Sequence, residues 1–167
     1  EWLPVSHLHV IGTELRRYTR DVLRGEGGSL SPTSRQVLAR WAALVGDEKV
    51  DRSCGATVGF LGCSGTGSPA VETIARAQVA NFVLVDGQRF AASNLERMHG
   101  SGASDLESDV APYKVEVMER LIRDINPTAN ITKIVGNGLD DVVLDDLLRC
   151  DLVLGLTDTV HGRVLLG

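Results

Sequence analysis

Three glycines, Gly62, Gly65 and Gly67, crowd the junction between an apolar run, Val58-Gly-Phe-Leu, and a helical run from Pro69 to Val79. A strand that enters a tight glycine turn and leaves as a helix presents backbone N–H groups and the positive end of the helix dipole to whatever lies in front. A phosphate is the natural guest. A second apolar run, Phe82-Val-Leu-Val, ends at Asp86, about twenty residues past the turn, where the tip of the neighbouring strand would offer a carboxylate to a ribose hydroxyl. The glycine spacing is G-x-x-G-x-G. The dinucleotide fingerprint G-x-G-x-x-G requires a glycine where this chain has Ser64, and that glycine lets a backbone approach a pyrophosphate closely. Ser64 therefore counts more heavily against NAD than against a mononucleotide. A merely structural strand-to-helix turn is the plainer alternative.

Those residues need a scaffold, and the rest of the chain supplies one. Strands are predicted over Ala56 to Leu61, Asn81 to Asp86, Ile131 to Val135 and Asp151 to Leu156. Helices are predicted over Gly65 to Val79, Pro112 to Ile125 and from Asp140 or Asp141 to Arg149, with a last one opening near Asp158. Strands alternating with helices give an α/β fold: a doubly wound, Rossmann-like, mainly parallel sheet with helices on both faces. The strands should order 3-2-1-4, with the switch point over the glycine turn. Gly87 to Asp109 is long, polar and aperiodic, as expected of a binding loop, a lid or a disordered segment.

Residues 1–50 are expected to form an N-terminal, largely helical extension to a nucleotide-binding domain over 51–167. Within it, Trp2 to Ile11 leans towards strand; His7 and His9 on it have no third ligand nearby and are expected to be surface residues. Thr13 to Arg24 suggests a short basic helix, and Gly25-Glu-Gly-Gly-Ser-Leu-Ser-Pro a linker. Ser31 or Ser34 can cap a helix running to about Val45, with Pro32 in its first turn. Gly46 to Gly55 is expected to be a polar connector.

The 167 residues carry 17 Lys and Arg against 22 Asp and Glu, a net charge of −5, with the basic residues dispersed. That argues against nucleic acid or an anionic membrane as the main partner. No apolar run approaches the ~20 residues that span a bilayer. Cys54, Cys63 and Cys150 form no C-x-x-C pair, so neither a zinc site nor a disulfide framework is suggested, and a reducing cytoplasm is the expected compartment. The chain begins at Glu1 and ends at Gly167 within an apolar helical run, and is expected to be a fragment truncated at its C-terminus.

Several motifs occur together and in order: Ser34-Arg-Gln, Gly65-Thr-Gly-Ser-Pro-Ala, Leu84-Val-Asp, Ser93-Asn-Leu-Glu-Arg97, Lys114-Val-Glu-Val, Ile125-Asn-Pro and Leu156-Thr-Asp158. In these the chain resembles the ThiF/MoeB family, the adenylating domains of ubiquitin-activating-type enzymes, from roughly Arg35 to its end. The resemblance implies an adenylyltransferase. In this family the C-terminal carboxylate of a small ubiquitin-like or sulfur-carrier protein attacks the α-phosphorus of MgATP, giving an acyl-adenylate and pyrophosphate.

The resemblance also implies roles residue by residue. Arg97 and Lys114 would place positive charge between the attacking carboxylate and the polyphosphate. Asn94 would donate to a phosphate oxygen, Asp86 would accept from the ribose, and Gly62, Ser64, Gly65 and Gly67 would form the cradle. Asp158 would hold Mg²⁺ directly or through water. Family homodimers reach across to the partner's phosphates with an arginine ahead of the domain, for which Arg35 is the candidate and Arg20 the runner-up. Family members that form a thioester or persulfide use a cysteine beyond Asp158, and Cys63 and Cys150 are expected to be packing residues. The alternatives are a catalytically degenerate scaffold that keeps the fold and, further off, an NAD-dependent Rossmann oxidoreductase.

Overall fold

The computed structural model describes residues 7–11, 15–19, 30–107, 109–137 and 140–157, and among these the side chains from residue 30 onward except 141 and 142. The chain opens with a hairpin, β1 (His7–Ile11) paired antiparallel to β2 (Leu15–Thr19), with Leu8 opposite Tyr18 and Val10 opposite Arg16. The helix expected over Thr13 to Arg24 is therefore a strand across its described part. Leu15-Arg-Arg-Tyr-Thr contains good helix formers, but pairing with β1 satisfies the backbone, and Tyr18 and Thr19 favour the strand.

The expected helix from Ser31 to Val45 is two helices, α1 (Pro32–Val37) and α2 (Ala39–Val45), parted at Leu38. Ser31 caps the first, its Oγ accepting from the Ser34 N–H at 3.0 Å, and Pro32 takes the first helical position, where no N–H is needed. The expected connector after Gly46 is instead a helix, α3 (Asp47–Cys54). Asp47 and Glu48 lie at its positive end and Arg52 in its last turn, and Val50 and Cys54, four residues apart, bury its inner side against Leu38.

The rest of the described chain is built on a four-stranded parallel sheet: β3 (Thr57–Leu61), β4 (Asn81–Val85), β5 (Asn130–Ile134) and β6 (Leu152–Gly155), in the spatial order β5-β4-β3-β6. This is the expected 3-2-1-4 arrangement, and the chain reverses direction across the sheet between β3 and its two neighbours. The central strands are apolar on both sides, as a sheet covered on both faces requires. Alternate residues of β3 and β4 divide between two cores. Val58, Phe60, Phe82 and Leu84 pack beneath α4 (Gly67–Arg76) and α5 (Lys114–Ile125) with Val71, Ala75, Met118 and Ile122, and the Phe60 and Phe82 rings stack with centroids 6.0 Å apart. Leu61, Val83 and Val85 pack on the other face with Val143 and Leu147 of α6 (Asp141–Leu148).

Residues 87–107 cross the end of this sheet as an ordered loop with two 3₁₀ turns, Ala92–Asn94 and Ala103–Asp105. Phe90 and Met98 anchor it in the core. Asp105, 5% exposed at its side chain, takes a forked contact from Arg120 of α5 at 2.8 and 2.9 Å and accepts from the Gly102 N–H; Arg120 also reaches the Gly100 carbonyl. Burial alone would push the Asp105 carboxyl up, but Arg120 and the Gly102 N–H outweigh it and hold it below the ordinary carboxylate range. A group with a depressed folded pKa stabilises above its unfolded value and loses that contribution as pH falls through the folded one. Asp105→Asn should therefore cost about 1–3 kcal/mol at neutral pH and flatten the acid limb of the stability profile below the ordinary carboxylate range. Urea melts at several pH values would show it, and an unchanged acid limb would assign the fork no role.

Candidate nucleotide-binding site

The site begins where β3 stops. Gly62 turns the chain at φ +101°, a conformation that side chains resist, and its N–H donates to the Val85 carbonyl at 2.9 Å. A Cβ on Gly67 would stand 2.1 Å from the Gly62 carbonyl oxygen, so the first turn of α4 closes directly onto the end of β3. Between them the Ser64 carbonyl accepts from the Ser68 N–H at 2.7 Å, which starts the helix. A Cβ on Gly65 would meet the side chain of Arg97, at 2.9 Å from its Cδ. Gly62 and Gly67 thus let the turn close, while Gly65 lets an arginine from the loop lie across it.

Asp86 follows β4 and faces the turn. Its Oδ2 accepts from the Cys63 N–H at 2.9 Å and its Oδ1 from the Gln88 N–H at 2.8 Å. A carboxylate has about four acceptor sites, so both oxygens keep capacity for a ligand hydroxyl. Lys114 opens α5 and is 5% exposed; its Nζ donates to Gln88 Oε1 at 2.6 Å and its backbone N–H to the Gln88 carbonyl at 3.0 Å. One chain of hydrogen bonds therefore runs from Cys63 through Asp86 and Gln88 to Lys114. The buried Cys63 thiol senses both charged ends. Burial raises its pKa far above the ordinary value, Asp86 pushes in the same direction, and Lys114 pulls it down. Burial also lifts the Cys150 thiol to about 11, with Asp151 and Asp146 adding to it. Neither cysteine carries the thiolate a nucleophile needs.

The loop brings the remaining groups. Asn94 is buried, its Oδ1 accepting from the Ala91 N–H at 2.9 Å, and its carbonyl accepts from the N–H groups of Arg97 and Met98. The oxygen of its amide is committed to the loop, so its NH₂ is the end that can donate to a ligand. Arg97 is half-exposed, with one guanidinium nitrogen donating to the Ser93 carbonyl at 3.0 Å and to Glu96 at 2.8 Å. His99, two residues on, ties the loop to α4: its N–H donates to Ser68 Oγ at 3.0 Å, and its Nδ1 lies 2.7 Å from Glu72 Oε2. The structure thus gathers Gly62, Ser64, Gly65, Gly67, Asp86, Asn94, Arg97 and Lys114 at one end of the sheet, and adds Gln88, which spacing alone gave no reason to single out.

Arg35 lies elsewhere. Its helix packs at the opposite end, where Ser34 Oγ donates to Gln78 beyond the far end of α4, and its guanidinium meets Asp51 of α3 at 3.3 Å. The length of β3, about 16 Å at strand rise, separates it from the glycine turn of its own chain. Arg20 and Asp158 lie outside the described residues. Among the described residues no group of three or more His, Cys, Asp or Glu gathers to hold a metal ion, and no helix is long and apolar enough to cross a membrane.

The chain has known relatives. A model of the ThiF family matches residues 33–167. The chain is 32% identical over 130 residues to the sulfur carrier protein ThiS adenylyltransferase of Escherichia coli, covering 78% of this chain and 49% of that one. It is 35% identical over 133 residues to the molybdopterin-synthase adenylyltransferase of the same organism, again covering 78% and 49%. Among solved structures, the E. coli tRNA N6-threonylcarbamoyladenosine dehydratase TcdA in complex with ATP superposes with a TM-score of 0.70 at 26% identity, covering 80% of this chain and 54% of that one. The chain spans about half the length of the curated relatives it matches.

Proposed function

The chain belongs to the ThiF family, and from that premise we propose that it is the nucleotide-binding part of an adenylyltransferase that activates the C-terminal carboxylate of a small ubiquitin-like or sulfur-carrier protein. The observation that carries the reading is the pairing around one glycine turn of an acid at a strand tip, Asp86, with two cations on other elements, Lys114 and Arg97. An acid at a strand tip suits ribose hydroxyls, and cations set across the turn suit a polyphosphate.

In the proposed reaction a carboxylate oxygen of the protein substrate forms a bond to the α-phosphorus of ATP, the bond from that phosphorus to the bridging oxygen breaks, and pyrophosphate leaves. Both reactants are anionic, so the task of this chain's residues is to hold them in line and offset their repulsion. Lys114, held by Gln88, supplies a fixed charge. Arg97, lying on Gly65 with much of its guanidinium in solvent, can fork onto phosphate oxygens. Asn94 donates from its NH₂ end, and Asp86 fixes the sugar. Mg²⁺ belongs to the same proposal, with Asp158 as its protein ligand, and when bound would neutralise polyphosphate charge. Arg35 contributes only in a homodimer, by reaching the partner's phosphates, which agrees with its distance from the turn of its own chain. The protein would act in the cytoplasm.

Calorimetric titration with MgATP, and separately with NAD, tests the reading. MgATP should bind, and Asp86→Ala should weaken it by about 1–3 kcal/mol, the cost of unpairing charged hydrogen bonds. Binding of NAD in place of ATP would overturn the proposal in favour of an oxidoreductase.

A further inference from the structure

We propose that His99 is a positioning residue for Arg97: fastened to α4 at Ser68 and Glu72, it keeps the loop against the glycine turn so that the guanidinium meets the phosphates of the nucleotide. The inference rests on the reading of the site as one for ATP and adds a residue that reading does not include.

The segment from Arg97 to His99 meets the glycine turn and α4 at three successive points. A Cβ on Gly65 would stand 2.9 Å from Arg97 Cδ. The His99 N–H donates to Ser68 Oγ at 3.0 Å, and the His99 Nδ1 lies 2.7 Å from Glu72 Oε2. Met98, between the two, is buried in the core. Ser68 is itself fully buried, and its N–H donates to the Ser64 carbonyl at 2.7 Å. One serine thus ties the loop, through its hydroxyl, and the glycine turn, through its backbone, to the same turn of helix.

The His99 side chain adds a second fixed point one turn further along α4. Arg76 grips Glu72 Oε1 with two nitrogens at 2.7 and 2.9 Å, which leaves Oε2 to His99. The hydrogen bond from His99, and after it that from Arg76, hold the Glu72 carboxyl below its ordinary range. An ionised carboxylate only accepts, so the hydrogen of this contact is on Nδ1. The Arg97 guanidinium, by contrast, meets the Ser93 carbonyl and the exposed Glu96, both on its own loop. Partners that move with a side chain do not place it. What places Arg97 is whatever fixes the loop, and on the α4 side that is His99.

The test is calorimetry with MgATP and with adenosine on the wild-type chain, His99→Ala, His99→Asn, Arg97→Ala and the Arg97→Ala/His99→Ala double variant, with thermal melts to check the fold. His99→Ala should weaken MgATP about 3- to 10-fold, the range for one hydrogen bond, while adenosine, which has no phosphate, binds as it does to the wild type. The asparagine amide can carry a nitrogen where Nδ1 stands, so His99→Asn should recover most of that loss. Glu72→Gln, which weakens the same contact from α4, should show the same split between the ligands. In the Arg97→Ala background His99→Ala should change MgATP affinity less than about 2-fold, because residues that act as one unit are not additive. Unchanged MgATP affinity in His99→Ala, an equal loss for both ligands, or the full loss again without Arg97 would each overturn the proposal. A merely structural role would move both ligands together and would persist in the absence of Arg97. A wild-type chain that binds neither ligand would overturn the adenylation reading and this one with it, an outcome separate from normal wild-type binding with an indifferent His99→Ala.

Discussion

Arg97→Ala, assayed with a carrier protein ending in Gly-Gly as the proposed adenylation requires, is expected to lose ATP–pyrophosphate exchange by about 10²–10³-fold, the loss that follows removal of one group aimed at developing charge, while the melting temperature stays where it is. The two halves of that expectation have separate grounds. The guanidinium is half-exposed, and its partners within the chain are the Ser93 carbonyl and the exposed Glu96, a surface ion pair of the kind that contributes little to stability. Its aliphatic stem crosses Gly65, so truncation removes a covering from the turn and opens no core cavity. The charge, by contrast, sits where a triphosphate entering the cradle would meet it, and Lys114, held from the other side by Gln88, is in no position to take its place. Arg97→Lys should restore part of the activity, because it returns the charge without the fork that fits two phosphate oxygens. Exchange at the wild-type rate in Arg97→Ala would remove Arg97 from the site; a large drop in melting temperature would mean that it braces the loop instead.

How much of this site could be read from the chain depends on whether a residue's partner is near it in sequence. The glycine turn and Asp86 were legible because strand, turn, helix and strand follow one another within a single unit, and the apolar runs of β3 and β4 are long enough to declare themselves. The strand order followed from the same alternation. Gln88 was not legible: its meaning lies in a bond to Lys114, 26 residues on, across a loop with no periodicity. The order in that loop was hidden for the same reason, since Asp105 finds Arg120 and His99 finds Glu72 on helices at a distance. The differences in the N-terminal region have two causes. Helix α3 buries Val50 and Cys54, too few apolar positions for a period to show, although Asp47 and Glu48 after Gly46 were a start signal. In β2 the propensity of Leu-Arg-Arg gave way to pairing with β1, a tertiary decision that no window of sequence contains.

Gly67→Ala is expected to cost at least about 3 kcal/mol of stability, at the upper end for overpacking, and with it the nucleotide site. Ordinary helix propensity argues the other way: Gly67 is the first residue of α4, and replacing a helical glycine with alanine gains up to about 1 kcal/mol. The clash decides. A Cβ would stand 2.1 Å from the Gly62 carbonyl oxygen and 2.9 Å from its carbon. Both are backbone atoms, and Gly62 is itself held at φ +101° with its N–H bonded to Val85. It cannot yield without unpairing the end of β3 from β4. Gly65→Ala is the matched control. Its Cβ would meet Arg97 Cδ at 2.9 Å, in the stem of a half-exposed, flexible side chain that can swing aside where backbone cannot, so its stability should change by less than about 1 kcal/mol while MgATP affinity falls because Arg97 is displaced. Urea melts and MgATP titrations on the two variants therefore separate the turn's two jobs. Equal stability in Gly67→Ala and Gly65→Ala would mean that the turn closes less tightly than its geometry requires. Unchanged MgATP affinity in Gly65→Ala would mean that Arg97 need not lie across the turn to serve the nucleotide.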